Sequence, residues 1–275
     1  MSRSLALRFR ARRAVLAGSV AALILSAAPA ALAGDAVEER FEKSYDLAGI
    51  QKVRLQNVNG AVHLETWDKP ELSLVAVKRA KGSSPSETLR ETEIRVKTVG
   101  STLDIETVLP KTRGWGLFSW WGSRMAEVSY ELKLPSAMAV QIETVNGRIL
   151  AERRSGPLVL NTVNGTIRVI AQEGPVRANT VNGSVEVAFT GPVRKAELET
   201  VNGSVTVTGS RESSIRYNLQ TVNGRIRSEF AELSVEGKWG PKEARGEFNG
   251  GKEALSVETI NGEVRLQVAD ASPVR

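Results

Sequence analysis

The chain has 275 residues, with 37 Lys and Arg against 31 Asp and Glu, and no cysteine. Without cysteine there is no disulfide framework, so the core must come from apolar burial alone. The basic excess does not point to nucleic acid: five of the 37 basic residues fall before residue 14, leaving 32 against 31, too balanced a charge to pair with a phosphate backbone.

Those five arginines (Arg3, Arg8, Arg10, Arg12, Arg13) precede an apolar run from Ala14 that ends in Ala31-Leu32-Ala33 before Gly34. A basic start, an Ala-rich stretch broken by Pro29, and small residues at cleavage-type positions predict a secretory signal peptide over 1–33, cut after Ala33. Arg12-Arg13 also suits twin-arginine export, so the route stays open. No cysteine near Ala33 offers a lipoprotein anchor, and a periplasmic or secreted product is expected.

Residues 34–135 predict an N-terminal β region. Period-2 alternation marks QKVRLQNV, LSLVAVKRA, EIRVKTV, STLDIETVL and EVSYELKLP as strands at irregular spacing. SSPSETLRETE predicts a short helix capped by Ser84 or Ser86, with Glu87 in its first turn. The region is expected to open a repeat array and cover its first unit, because stacked repeats need caps over their end edges. His63, the only histidine, alternates with Val62 and Leu64 and reads as an exposed strand position.

The segment 111–125, KTRGWGLFSWWGSRM, differs from everything around it. Trp115, Leu117, Phe118, Trp120 and Trp121 stand between Gly114, Gly116 and Gly122, flanked by Lys111, Arg113 and Arg124. Either it is a loop folded back as an apolar cap, or it is an exposed aromatic tip for a bilayer interface or a partner's groove. Trp suits half-wet surfaces and basic flanks suit anionic headgroups.

Residues 136–268 carry a repeat: IETVNGRI, LNTVNGTI, ANTVNGSV, LETVNGSV, LQTVNGRI and VETINGEV, with an earlier copy, LQNVNGAV, from Leu55. The turn pairs are Asn59-Gly60, Asn146-Gly147, Asn164-Gly165, Asn182-Gly183, Asn202-Gly203, Asn223-Gly224 and Asn261-Gly262. From Gly147 the glycines step by 18, 18, 20, 21 and 38, the last step reading as two periods with one degenerate unit between. Apolar and polar residues alternate on both sides of each Asn-Gly, and Gly156-Pro157, Gly174-Pro175 and Gly191-Pro192 fall midway, so each unit is two short strands and two turns. Positive φ is expected at the Asn-Gly glycines. The sequons at Asn164, Asn182 and Asn202 read as turn chemistry, because Asn146 and Asn223 recur without a following Ser or Thr.

Two all-β architectures fit. One is a meander of antiparallel hairpins, closing into a barrel or sandwich. The other is a β-solenoid with units of about 18–21 residues stacked roughly 4.8 Å apart in parallel. The solenoid is preferred because identity extends to Thr-Val, which a hairpin does not need, whereas stacked units reward identical residues through asparagine ladders and gapless Val and Ile columns.

Catalytic chemistry is poorly supplied. One His, no Cys and no Ser-centred elbow argue against a hydrolase triad or a zinc site. A carbohydrate-active β-helix enzyme would need clustered carboxylates, yet no Asp occurs between Ile105 and Ala269. Glu143, Glu199 and Glu258 recur where a solvated strand face explains them. No catalytic, cofactor-binding or metal-binding residue is expected.

From Tyr130-Glu131-Leu132-Lys133-Leu134-Pro135 through Ile142–Ile149 and its successors to Val264, the chain resembles the bacterial putative adhesin family, a domain of unknown function related to toast-rack β-solenoids of envelope proteins. The resemblance implies a right-handed β-helix outside the cytoplasm, with no family-defined catalytic residues. Some relatives resemble envelope-stress regulators, and the Trp-rich segment is not part of the family pattern. The expected partner is an envelope component, whether protein, glycan or lipid surface. Nothing in the sequence indicates an oligomeric state, and the tail 269–275 reads as disordered.

Overall fold

The computed structural model describes residues 36–82, 84–109, 126–237 and 240–269. The signal-peptide assignment, the Trp-rich segment and nearly all of the tail lie outside those residues.

The N-terminal region consists of β1 (Val37–Asp46), β2 (Lys52–Gln56), β3 (Val62–Thr66), β4 (Glu71–Ala80), a helix α1 (Pro85–Glu91), β5 (Glu93–Val99), β6 (Thr102–Val108) and β7 (Glu127–Leu134). Ser84 is the N-cap of α1, as its sequence suggests, with Pro85 in the first turn; the Ser84 side chain makes no capping bond. The repeat region contributes β8 (Ala139–Glu143), β9 (Ile149–Glu152), β10 (Leu158–Asn161), β11 (Ile167–Gln172), β12 (Val176–Asn182), β13 (Val185–Phe189), β14 (Ala196–Asn202) and β15 (Val205–Gly209). It ends with β16 (Ile215–Thr221), β17 (Ile226–Ser228), β18 (Lys242–Phe248), β19 (Glu253–Asn261) and β20 (Val264–Val268).

These strands form two ten-stranded mixed sheets, ordered β1-β4-β7-β3-β9-β11-β13-β15-β20-β17 and β18-β16-β19-β14-β12-β10-β8-β2-β6-β5. Alternation along each strand buries one set of side chains between the sheets, as with Val140, Ile142, Leu158 and Leu160 from one and Ile149, Ile167, Val169 and Val185 from the other.

Asn-Gly does not close hairpins. The strands flanking each pair lie in different sheets, and each pairs in parallel with the equivalent strand of its neighbouring units: Leu160 sits opposite Ile142 and Ala178, and Ile167 opposite Ile149 and Val185. Among the described residues the antiparallel strand pairs lie at the ends of the array, where β1, β4 and β5 flank one end and β18 the other.

The whole Thr-Val-Asn-Gly string is explained by this stacking. The hydroxyls of Thr162, Thr180 and Thr200 donate to the carbonyls of Gly147, Gly165 and Gly183 in the preceding unit, at 3.1, 3.0 and 2.8 Å. The asparagines form a continuous ladder in which Asn146 donates to Asn59, Asn164 to Asn146, Asn182 to Asn164, Asn202 to Asn182, Asn261 to Asn202 and Asn223 to Asn261, at 2.8–2.9 Å.

The glycines correct an expectation. Gly60 has φ of +120°, but Gly147, Gly165, Gly183, Gly203, Gly224 and Gly262 do not have positive φ. Glycine is required there by close approach: a Cβ at any of the six would lie closer than 3.0 Å to the carbonyl of the stacked glycine, as Gly183 would to Gly165.

Stacking order also departs from chain order. The 38-residue step does not hide a degenerate unit. Instead β19 pairs with both β14 and β16, and β20 with both β15 and β17, so the Asn261 unit is inserted between those of Asn202 and Asn223. Similarly β2 lies between β6 and β8, and β3 between β7 and β9. The chain must therefore cross the β3 level between β7 and β8. Arg154, fully buried, holds that crossing by donating to the carbonyls of Leu134 (3.2 Å), Pro135 (2.6 Å) and Met138 (2.7 Å). Burial lowers its guanidinium pKa to about 10, still charged at neutral pH.

The steric account of the corner separates two glycines. Gly183→Ala should lower stability by about 1–3 kcal/mol, because backbone must move. Gly191→Ala, with nothing within 4 Å of the added carbon, should stay within about 0.5 kcal/mol of wild type in chemical denaturation.

Candidate functional site

The valine of each corner is the one motif residue left without an inward role. With Thr turned in and Asn bonded along the stack, the side chain between them points outward: Val145, Val163, Val181, Val222 and Ile260 are 37–40% exposed, and Val58 and Val201 are half-buried. Aligned by the ladder, they form an apolar ridge along one edge of the molecule, bordered by the amide row.

The described residues on either side of the Trp-rich segment meet this edge. Gln56 sits opposite Glu106, which puts Thr107-Val108 level with Asn57-Val58. The chain re-enters at Glu127, with the Val128 amide donating to Asn59 O at 2.7 Å. Val108 and Glu127 therefore stand at the positions where Asn follows Val directly in other units. Trp115, Leu117, Phe118, Trp120 and Trp121 themselves lie outside the described residues. The base of the insertion is tied down: Thr107 donates to Asn57 Oδ1 at 3.0 Å and lies 2.6 Å from the Tyr130 hydroxyl, whose pKa burial pushes up to about 12.

The recurrent glutamates diverge. Glu199 and Glu258 are exposed and directly opposite each other on β14 and β19. Glu143 is half-buried; burial works to raise its carboxyl, but hydrogen bonds from Gln141, Gln56 and Arg54 outweigh this and hold it below the usual range.

His63 is not the exposed strand position expected from its alternation. It is half-buried on the outer face of β3, with Nε2 2.7 Å from Glu152 Oε2 and Nδ1 3.5 Å from Glu65 Oε1. Lys133 on β7 lies 3.1 Å from Glu65 and 3.0 Å from Glu131, and these two hydrogen bonds raise its pKa. Glu65 follows His63 on the same face, a signal present in the sequence. Glu152 is 89 positions away and reaches the ring only through the parallel pairing of β3 with β9.

No protein-family model matches the chain, and no curated protein does. Among solved structures it is similar to a putative cell adhesion protein from Clostridium sporogenes, with TM-score 0.47 and 13% identity over 85% of this chain and 100% of that one. It is also similar to a putative adhesin from Bacteroides fragilis, with TM-score 0.43 and 9% identity over 84% and 97%. A putative lipid binding protein from Parabacteroides distasonis gives TM-score 0.29 and 12% identity over 86% and 98%. No residue role passes to this chain from any of them.

Ladder and ridge should respond differently to substitution. Asn164→Ala removes one bond in each direction along the stack and should cost about 1–2 kcal/mol. Val163→Ser, at an exposed position, should shift the unfolding free energy by less than about 0.5 kcal/mol.

Proposed function

We propose that the chain is an exported, non-catalytic binding scaffold of the bacterial cell envelope, adhesin-like in use, whose ridged edge meets an envelope component. In this reading the two sheets are the walls of a parallel β-solenoid, right-handed as parallel strand connections are. In-register parallel pairing of successive units and the continuous asparagine ladder support that description. Export rests on the leader before Gly34.

The observation that carries the reading is the row of outward valines, repeated from unit to unit and reaching the level of Val108, after which the sequence carries the aromatic stretch. Apolar side chains in a continuous exposed line mark a contact surface more often than the same residues scattered singly. A second reading, a membrane-associated sensor or regulator, draws support from the same insertion, because Trp120 and Trp121 with Lys111, Arg113 and Arg124 have the chemistry of an anionic membrane interface.

Co-sedimentation tests both. The exported product should begin at Gly34 and pellet with isolated cell envelopes. The triple variant Val145→Ser/Val163→Ser/Val181→Ser should pellet less while unfolding at nearly the wild-type midpoint. Equal pelleting of the two would end the edge proposal. Pelleting with anionic phospholipid vesicles alone, abolished by Trp120→Ala/Trp121→Ala, would favour the membrane reading instead.

A further inference from the structure

We propose that His63, Glu65 and Glu152 form a surface site for a divalent transition-metal ion of borderline softness, with zinc as the reference ion. The site is independent of the ridge: it lies on the outer face of the sheet containing β3, and register alone assembles it. Glu65 stands two residues beyond His63 on the same strand face, and β9 brings Glu152 to the other side of the ring.

The strand registry places a carboxylate on either side of the imidazole. Both ring nitrogens face carboxylate oxygens, at 2.7 and 3.5 Å. An imidazole nitrogen and a carboxylate oxygen that stand this close can share one cation as common ligands. The surroundings favour a cation: Glu65, Glu131 and Glu152 gather there, and among the described residues Lys133 pairs with Glu65 and Glu131 while Glu152 pairs with no lysine or arginine. One ligand atom from each of His63, Glu65 and Glu152 falls within 4.8 Å of the others, and all three side chains are half-buried rather than sealed, so rotation of the glutamates can close the set around one ion while water completes its coordination. One imidazole nitrogen with two carboxylates suits zinc, nickel or copper; calcium and magnesium prefer oxygen throughout.

Lys133 makes the proposal discriminating. Its ammonium, 3.1 Å from Glu65 Oε2, competes with an incoming cation for that carboxylate. Lys133→Gln should therefore tighten binding, which a merely structural salt bridge would not predict.

Zinc chloride titrated into the untagged chain starting at Gly34 should give one saturable equivalent by calorimetry. The ring signals of His63, the only histidine, should move with it in NMR. His63→Gln and Glu152→Gln should each weaken binding at least about tenfold, and Lys133→Gln should strengthen it several-fold. Ring signals unmoved at saturating zinc, or an isotherm unchanged by His63→Gln or by Glu152→Gln, would overturn the site. If either loss variant fails to fold, an affinity in Lys133→Gln no tighter than wild type decides against it.

Discussion

The structure depends on one close contact: at each corner the backbone of a repeat glycine lies against the carbonyl of the glycine one unit away, with no room for a Cβ. Once the main chains approach that closely, the remaining motif residues have little freedom. From Thr162 onward each motif Thr reaches the glycine carbonyl of a stacked unit, each Asn joins the ladder, and the strands on either side are placed for parallel, in-register pairing. The hydrogen bonds are individually modest. Their repetition makes register costly to lose, since a one-residue slip would turn every buried Val, Leu and Ile toward water.

Sameness of the corners has a second consequence. A unit that presents Thr, Asn and Gly identically on both of its stacking faces can follow any other, so chain order need not be spatial order. The interleaved C-terminal unit relies on this: the Asn261 corner bonds Asn202 on one side and Asn223 on the other, although Asn223 precedes it in the chain. The order is set instead by parts outside the repeat. Near the C-terminus β18 covers β16 as an antiparallel strand, and near the N-terminus the buried guanidinium of Arg154 ties down the segment that crosses from β7 to β8.

The same corner geometry turns the valines outward, so the ridge is a by-product of stacking that becomes available for contact. In the unit of β6 and β7 the valine position is held by Val108 and the Asn position by Glu127, and the Trp-rich stretch lies between those two residues in the sequence. The His63 cluster arises from the same parallel registry on a different face, with strands far apart in the chain contributing adjacent side chains.

The sequence by itself determined much of the plan. Period-2 alternation marked the strands, and identity across Thr-Val-Asn-Gly pointed to units stacked on one another with an asparagine ladder, because a turn alone would have conserved only Asn-Gly. It also isolated the Trp-rich segment as foreign to the repeat. What it could not carry were distances between residues remote along the chain. The repeat glycines looked like positive-φ turn residues because their real constraint, a carbonyl in the neighbouring unit, is invisible to local pattern. The 38-residue step looked like a decayed repeat because interchangeable units encode no order. His63 looked solitary because Glu152 joins it only through strand pairing. Local periodicity is written in neighbouring residues, whereas registry between strands is decided by the packed structure, and in this protein registry assembles the candidate sites.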